Sequence, residues 1–316
     1  MKIQDFANAV KSQTIQSNIN WTSDLDEINL GNLHGIVKTS DQKIWVQNAL
    51  EDEDQSSLLI FDLNGTLLEN KKIKELRCPH GLEIYFHPNY GETLLHTDAK
   101  NGLLLMDLNG KIIWHCQRPE FYQLRWQLNY EPSNSAISKD GRIFMADGYG
   151  SYYVTIFDSI GKEQETICGP SSKEEGITHP HGISIIQYDG KETLAITECM
   201  LSTQDTELLK KHNMSSCIKL FNLDGTYIKK IELDTISPRH IRTFKDGYLI
   251  PDFQNRLLLL DSKFKQLASI GENKSNFEFE IDYEFSFKRP HDCCAINDGT
   301  ILVTEFDSRV SLFSFS

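Results

Sequence analysis

One phrase, written five times, limits what this chain can fold into: "LLIFDLNGTLLEN", "LLLMDLNGKIIWHC", "VTIFDSIGKEQETI", "IKLFNLDGTYIKKI" and "LLLLDSKFKQLASI". Each copy is an apolar run, an Asx-headed turn and a second run, with the turn weakest in the fifth copy. An Asp or Asn side chain folds back on backbone amides just ahead of it, and glycine accepts the left-handed conformation of a tight reversal. The phrase therefore predicts two strands joined by a short turn. Upstream of each copy lies another strand pair, split by a DG-like or NG-like signal: "HGIVKTSDQKIWVQ", "HGLEIYFHPNYGETLLHTD", "SAISKDGRIFMAD", "HGISIIQYDGKETLAIT" and "IRTFKDGYLIPD". A sixth pair, "CCAINDGTILVTE", opens the last unit.

Six units of four short strands read as an all-β fold, a six-bladed β-propeller with its blades around a central channel. From His34 to His291 is 257 residues in five steps, about 51 per unit, near the longer propeller repeats. A solenoid repeats at shorter spacing and a sandwich does not repeat in this way. The last unit has no copy of the turn phrase, so its outer strand is expected from the N-terminal "NWTSDLDEIN". The expected division is residues 1–24 as an N-terminal segment, helical over 2–15 and then ring-closing, and 25–316 as the propeller. Blade four carries an insertion at about 199–217, whose "TQDTELLKKHNMS" is the other helical-looking stretch, a lid or a surface excursion.

Composition excludes several functions. The chain has 316 residues, 39% hydrophobic and 10% aromatic, which is ample for a core. Its formal charge is −13, from 32 Lys+Arg against 45 Asp+Glu. Nucleic acid and anionic membrane surfaces both require a positive patch, so neither is expected as a partner. The seven cysteines form no CxxC pair, and no apolar leader or long apolar run occurs. The expectation is a cytoplasmic protein with reduced thiols.

Three places repeat a second, shorter signal: "CPHGLEI", "HPHGISI" and "RPHDCCAI". They put His80, His181 and His291 at the start of the innermost strand of blades two, four and six. Alternate blades of a six-fold ring are related by roughly 120°, so three such imidazoles point at one spot on the axis. Three neutral nitrogens with an open fourth position are the layout of a catalytic zinc site. Each preceding proline fixes its own φ and stiffens the loop. A lone histidine at such a place more commonly bonds a backbone carbonyl; three in one context favour metal. His34 and His240 start blades one and five on the same rim, either bracing the ligands, touching substrate or adding to the set. With His240 as a fourth ligand the site would suit iron or copper rather than zinc.

Other polar residues have plainer readings. Asp98, Asp147, Glu198, Asp252 and Glu305 each follow the second strand of a blade, a regularity that suggests bonding of the next turn's backbone. Arg125 and Trp126 lie in a long loop before blade three, either over the channel mouth or as an exposed strap. Cys293 and Cys294 read as small buried apolar groups.

Read together, these residues resemble the peptidyl-α-hydroxyglycine α-amidating lyase family, six-bladed propellers related to NHL-repeat proteins. In that family three Pro-His motifs supply zinc ligands, and "PHGLEI", "PHGISI" and "PHDCCAI" stand here in the same order. A "DGY" motif between the first two carries a catalytic tyrosine, which the resemblance assigns to Tyr149, with Asp147 and Gly148 before it. The Asp after the last ligand, an active-site residue of the family, matches Asp292. The resemblance runs through nearly all of residues 30–316. The family's first-blade arginine has no match in "LGNLHGIVKTSDQKIW", where His34 stands instead.

The resemblance implies a zinc-dependent lyase that cleaves a carbinolamide C–N bond of a small or peptide-like substrate in the channel, with Tyr149 and Asp292 as catalytic candidates; His34, from its place on the same rim, is a third. An iron- or copper-dependent oxidoreductase is the alternative enzyme class. A propeller interaction module with a structural ion is the non-enzymatic one.

Overall fold

The computed structural model describes residues 2–12, 14–23, 25, 28–199, 216–235, 237–271 and 287–315. The helical stretch expected within the blade-four insertion lies outside the described residues.

Six antiparallel four-stranded sheets form the ring. Blade one is β2–β5 (Asn32–Lys38, Ile44–Ala49, Ser57–Phe61, Leu67–Lys71), and blade two is β6–β9 (Pro79–His87, Gly91–Asp98, Gly102–Asp107, Ile112–Cys116). Blade three is β10–β13 (Asn134–Ile137, Ile143–Ala146, Val154–Phe157, Glu163–Ile167). Blade four is β14–β17 (Pro180–Tyr188, Lys191–Glu198, Cys217–Phe221, Tyr227–Glu232), and blade five is β18–β21 (Arg242–Phe244, Gly247–Asp252, Arg256–Asp261, Gln266–Gly271). Blade six takes β22–β24 (Pro290–Asn297, Thr300–Glu305, Arg309–Ser314) and borrows its outer strand, β1 (Gln16–Asn18), from the start of the chain.

The closing strand is thus not in 20–29. Gln16 pairs with Ser314 and Asn18 with Leu312, while Trp21 and Ser23 cross onto blade one, where Trp21 packs on Phe61 and the Ser23 amide donates to the Gly65 carbonyl. The stretch beginning at Trp21 is the bridge between blades because its tryptophan is needed in the blade six–one seam. Helix α1 (Ile3–Lys11) precedes β1 and buries Ile3, Phe6, Ala7 and Val10, a three–four spacing that makes one apolar stripe.

No single core exists. Each seam between neighbouring blades has its own apolar cluster, for example Trp45, Leu58, Leu82, Leu94 and Leu104 between blades one and two. The seam between blades five and six is capped by α1, with Phe6 beside Phe244 and Phe315. Among the described residues no helix is long and apolar enough to cross a membrane.

The repeated turns follow their chemistry. Asp62 accepts the amides of Asn64 and Thr66, both at 2.9 Å, and Gly65 takes φ +89°. In the weak fifth copy Phe264 stands in the glycine's place at φ 66°, with its ring stacked 4.7 Å from Tyr248. Packing there offsets a backbone conformation that costs a non-glycine residue about 1–2 kcal/mol.

The carboxylates after the second strands bond backbone, as their regular spacing suggested. Asp98 accepts the amides of Arg77, Cys78, Lys100 and Asn101. Asp147 takes those of Glu131 and Ser151 plus the Tyr122 hydroxyl. Glu305 accepts the Lys288 amide and pairs with Arg309.

Candidate metal centre at the channel mouth

Four inner strands and the segment leading into β18 bring five histidines to one rim: His34, His80, His181 and His291 lie on strands and His240 two residues before one. Where His80 and His181 are followed by glycine, a neighbouring strand closes in: a Cβ on Gly81 would stand 2.4 Å from the Asn134 side chain, and one on Gly182 would stand 2.2 Å from the Arg239 carbonyl. These glycines let adjacent blades approach closely enough for imidazoles to meet.

His34, His80, His181, His240 and His291 are all buried. Ring centroids lie 4.5 Å apart for His34–His80, 4.3 Å for His34–His291 and 4.7 Å for His80–His291. One ligand nitrogen from each of these three falls within 4.8 Å of the others, a group that could hold a metal ion. His181 stands a little further out, 4.9 Å from His80 and 5.1 Å from His291. His240 is 5.5 Å from His291, and its Nδ1 lies 3.3 Å from Asp292 Oδ2 and 3.1 Å from Asn134 Nδ2. The tightest trio therefore includes His34 from blade one, with His181 beside it and His240 turned toward a carboxylate.

The protonation state suits metal binding. Burial, the largest cause, pushes His34 down to about 3, helped by His240 and Arg239. Burial likewise holds His80, His181 and His291 well below the usual imidazole range. All four are neutral near pH 7, the form that donates a lone pair to a metal. The buried Nδ1 atoms of His34, His181 and His291 have no hydrogen-bond partner. Buried orphaned nitrogens are costly, and a cation is a group that would satisfy them.

Tyr149 reaches the same point. Its hydroxyl is 2.9 Å from His80 Nε2 and 2.8 Å from His181 Nε2. His80 Nδ1 donates to the Ser133 carbonyl at 2.6 Å, which leaves Nε2 as an acceptor for the phenol. His181 Nε2–H then donates to the phenolic oxygen. Burial raises the phenol well above its ordinary value, with the Arg239 charge acting in the opposite sense.

Asp292 is held by protein groups at both carboxylate oxygens. Arg242 holds it with two parallel bonds, Nε to Oδ1 at 2.7 Å and Nη2 to Oδ2 at 2.5 Å, and the amides of Ile36 and Cys293 add to them. Burial alone would raise this carboxyl, but Arg242 and then His240 hold it well below the usual carboxylate range.

Two arginines escaped the sequence reading. Arg242 opens β18, two residues after His240, which lies in the segment leading into that strand. Arg239 is only 6% exposed; its guanidinium lies 3.9 Å from the Phe253 ring centroid, and Nη1 donates to Cys199 Sγ at 3.4 Å. Its Nε has no partner. Arg239 thus supplies, from blade five, a buried cation beside the cluster where blade one has none. Arg125 does not: its Nη1 donates to the Phe121 carbonyl within its own strap, where Trp126 is 87% exposed. Cys293 is buried and Cys294 half-buried, both without disulfides.

These features define a six-bladed propeller whose channel mouth carries a buried cluster of neutral histidines able to hold a metal. No protein-family profile matches the chain. Over 163 residues it is 24% identical to a probable peptidyl-alpha-hydroxyglycine alpha-amidating lyase of Caenorhabditis elegans, a match covering 46% of this chain and 44% of that protein. The chain thus spans less than half the length of that relative, and over that part it resembles a lyase of this kind.

Proposed function

We propose that the channel mouth is the active site of a metal-dependent, lyase-like enzyme that splits the C–N bond of a carbinolamide in a small or peptide-like substrate. The observation that carries this reading is the convergence of His34, His80 and His291 within ligand distance of one another, with Tyr149 reaching in beside them. His80, His291 and either His34 or His181 would hold the ion, with zinc as the first candidate. A bound metal would supply Lewis acidity toward a substrate oxygen.

The chain's own residues do the rest. Tyr149 Oη holds and moves the proton of the substrate hydroxyl; a nearby cation favours the phenolate that this role needs. Arg239, a buried cation with an unpartnered Nε, receives the negative end of the substrate. The atoms balance simply: the C–N bond breaks, the hydroxyl oxygen becomes an aldehyde carbonyl, and its proton ends on the departing amide nitrogen. The products of an N-acyl-α-hydroxyglycine are an amide and glyoxylate.

A second reading is favoured by the closeness of His34. If His34 joins His80, His181 and His291, four imidazoles saturate tetrahedral zinc, and an iron or copper oxidoreductase fits better.

Elemental analysis of the purified protein, with glyoxylate release from an N-acyl-α-hydroxyglycine, tests the proposal. One equivalent of zinc, lost in His80→Ala and His291→Ala together with activity, is the expected result. Iron or copper without glyoxylate release favours the second reading. Full activity in metal-free protein overturns both.

A further inference from the structure

We infer that Arg242 is the positioning residue of the histidine cluster: its clamp on Asp292 fixes the spacing of the four chain segments that carry His34, His80, His240 and His291. This rests on the metal reading of the cluster given above.

The clamp touches each of those segments within two residues of its histidine. On blade two, Arg242 Nη2 donates to the Leu82 carbonyl at 3.1 Å and Nη1 to Glu83 Oε1 at 2.5 Å, just beyond His80. On blade six it grips Asp292, the residue next to His291. Asp292 passes the connection on: its Oδ2 accepts the Ile36 amide of blade one at 3.2 Å and lies 3.3 Å from His240 Nδ1. Arg242 itself is two residues past His240. One guanidinium and one carboxylate thereby tie blades one, two, five and six together directly behind the imidazoles.

The chemistry requires an arginine. A planar fork makes bonds toward two blades at once, whereas a lysine ammonium is a single flexible point charge. An apolar plug would fill the space but would leave Asp292 charged, buried and unpaired, so the strands would re-space to let water in. Packed interiors transmit such shifts, and metal ligands tolerate little displacement.

The test uses the full chain, stripped of metal, as wild type, Arg242→Lys, Arg242→Met and Arg256→Met. Arg256 forms the buried pair with Asp252 in the same blade and controls for general loss of stability. Zinc affinity is read by competition with a chromophoric chelator, and geometry by the visible absorption of the Co(II)-loaded protein. Arg242→Met should weaken zinc binding about 10–100-fold and alter the Co(II) bands, the usual consequence of losing a group that orients ligands. Arg242→Lys should fall between it and wild type, and Arg256→Met should match wild type. If Arg242→Met does not fold, Arg242→Lys decides the matter. Wild-type affinity and spectrum in the folded Arg242 variants overturn this inference alone, as does an equal loss in Arg256→Met. A wild type that binds neither metal overturns the metal reading and this inference with it.

Discussion

The phenolic oxygen of Tyr149, on blade three, lies 2.9 Å from Nε2 of His80, on blade two. An aromatic side chain from one blade thus delivers an ionisable oxygen to an imidazole of the next. Because His80 Nδ1 is committed to the Ser133 carbonyl, the phenol is the donor in this pair, and an ion held by His80 would take the place of that phenolic proton on Nε2.

Tyr149→Phe removes that oxygen and little else. If the phenol carries the substrate proton, activity should fall about 10²–10⁴-fold, the range for a positioned acid–base group. Zinc content should stay at one equivalent, since a phenylalanine ring keeps the packing. Glyoxylate release and elemental analysis of the same preparation check both halves.

Acid should destabilise the ring through a buried histidine outside the metal cluster, His96, which pairs across the sheet with Leu82. His96 is fully buried, and burial pushes it from 6.5 down to about 3. Its folded value lies below its unfolded one, so the unfolded chain takes up the proton first. Stability is fully present above pH 6.5 and is lost as pH falls toward 3, by about 2 kcal/mol from this group at pH 5. His96→Gln, which keeps an acceptor for Gln47 Nε2, should flatten that part of the curve. Urea midpoints between pH 7 and 5 measure it.

The fifth turn offers a test of packing against backbone strain. Phe264→Gly relieves the left-handed conformation, worth about 1–2 kcal/mol, but empties a buried ring site worth about 3–5 kcal/mol. The variant should be less stable by about 2 kcal/mol in urea unfolding, the reverse of what turn chemistry alone predicts.

Helix α1 should matter out of proportion to its length. Phe6 is fully buried between blades five and six, edge-on to Phe244 and Phe315. Phe6→Ala should cost about 3–5 kcal/mol, and thermal unfolding of the variant against wild type gives the value.

What could be read in the sequence was whatever repeats. Asp62, Asp107, Asp158 and Asp261 head similar turns, so four-stranded blades and their number followed from spacing, and the three Pro-His dipeptides marked one rim. What could not be read lacks a repeat or breaks the polarity pattern. Gln16–Asn18 is exposed throughout, so its burial pattern says nothing of the strand it forms; only the hydrogen bonds of β24 recruit it. Arg242 is a charge on an inner strand and Arg239 one in the segment leading into it, where pattern reading expects apolar or small residues. The prominence of His34 comes from the seam between blades six and one, a junction between residues far apart in the chain.

That junction also ties the site to closure of the ring. Because β1 zips onto β24, a growing polypeptide can stack five blades while the circle still gapes. His34 and His291 flank the gap, and their rings come to 4.3 Å only across the finished joint. The closeness of those two imidazoles is therefore a property of the clasped ring, made where first strand meets last.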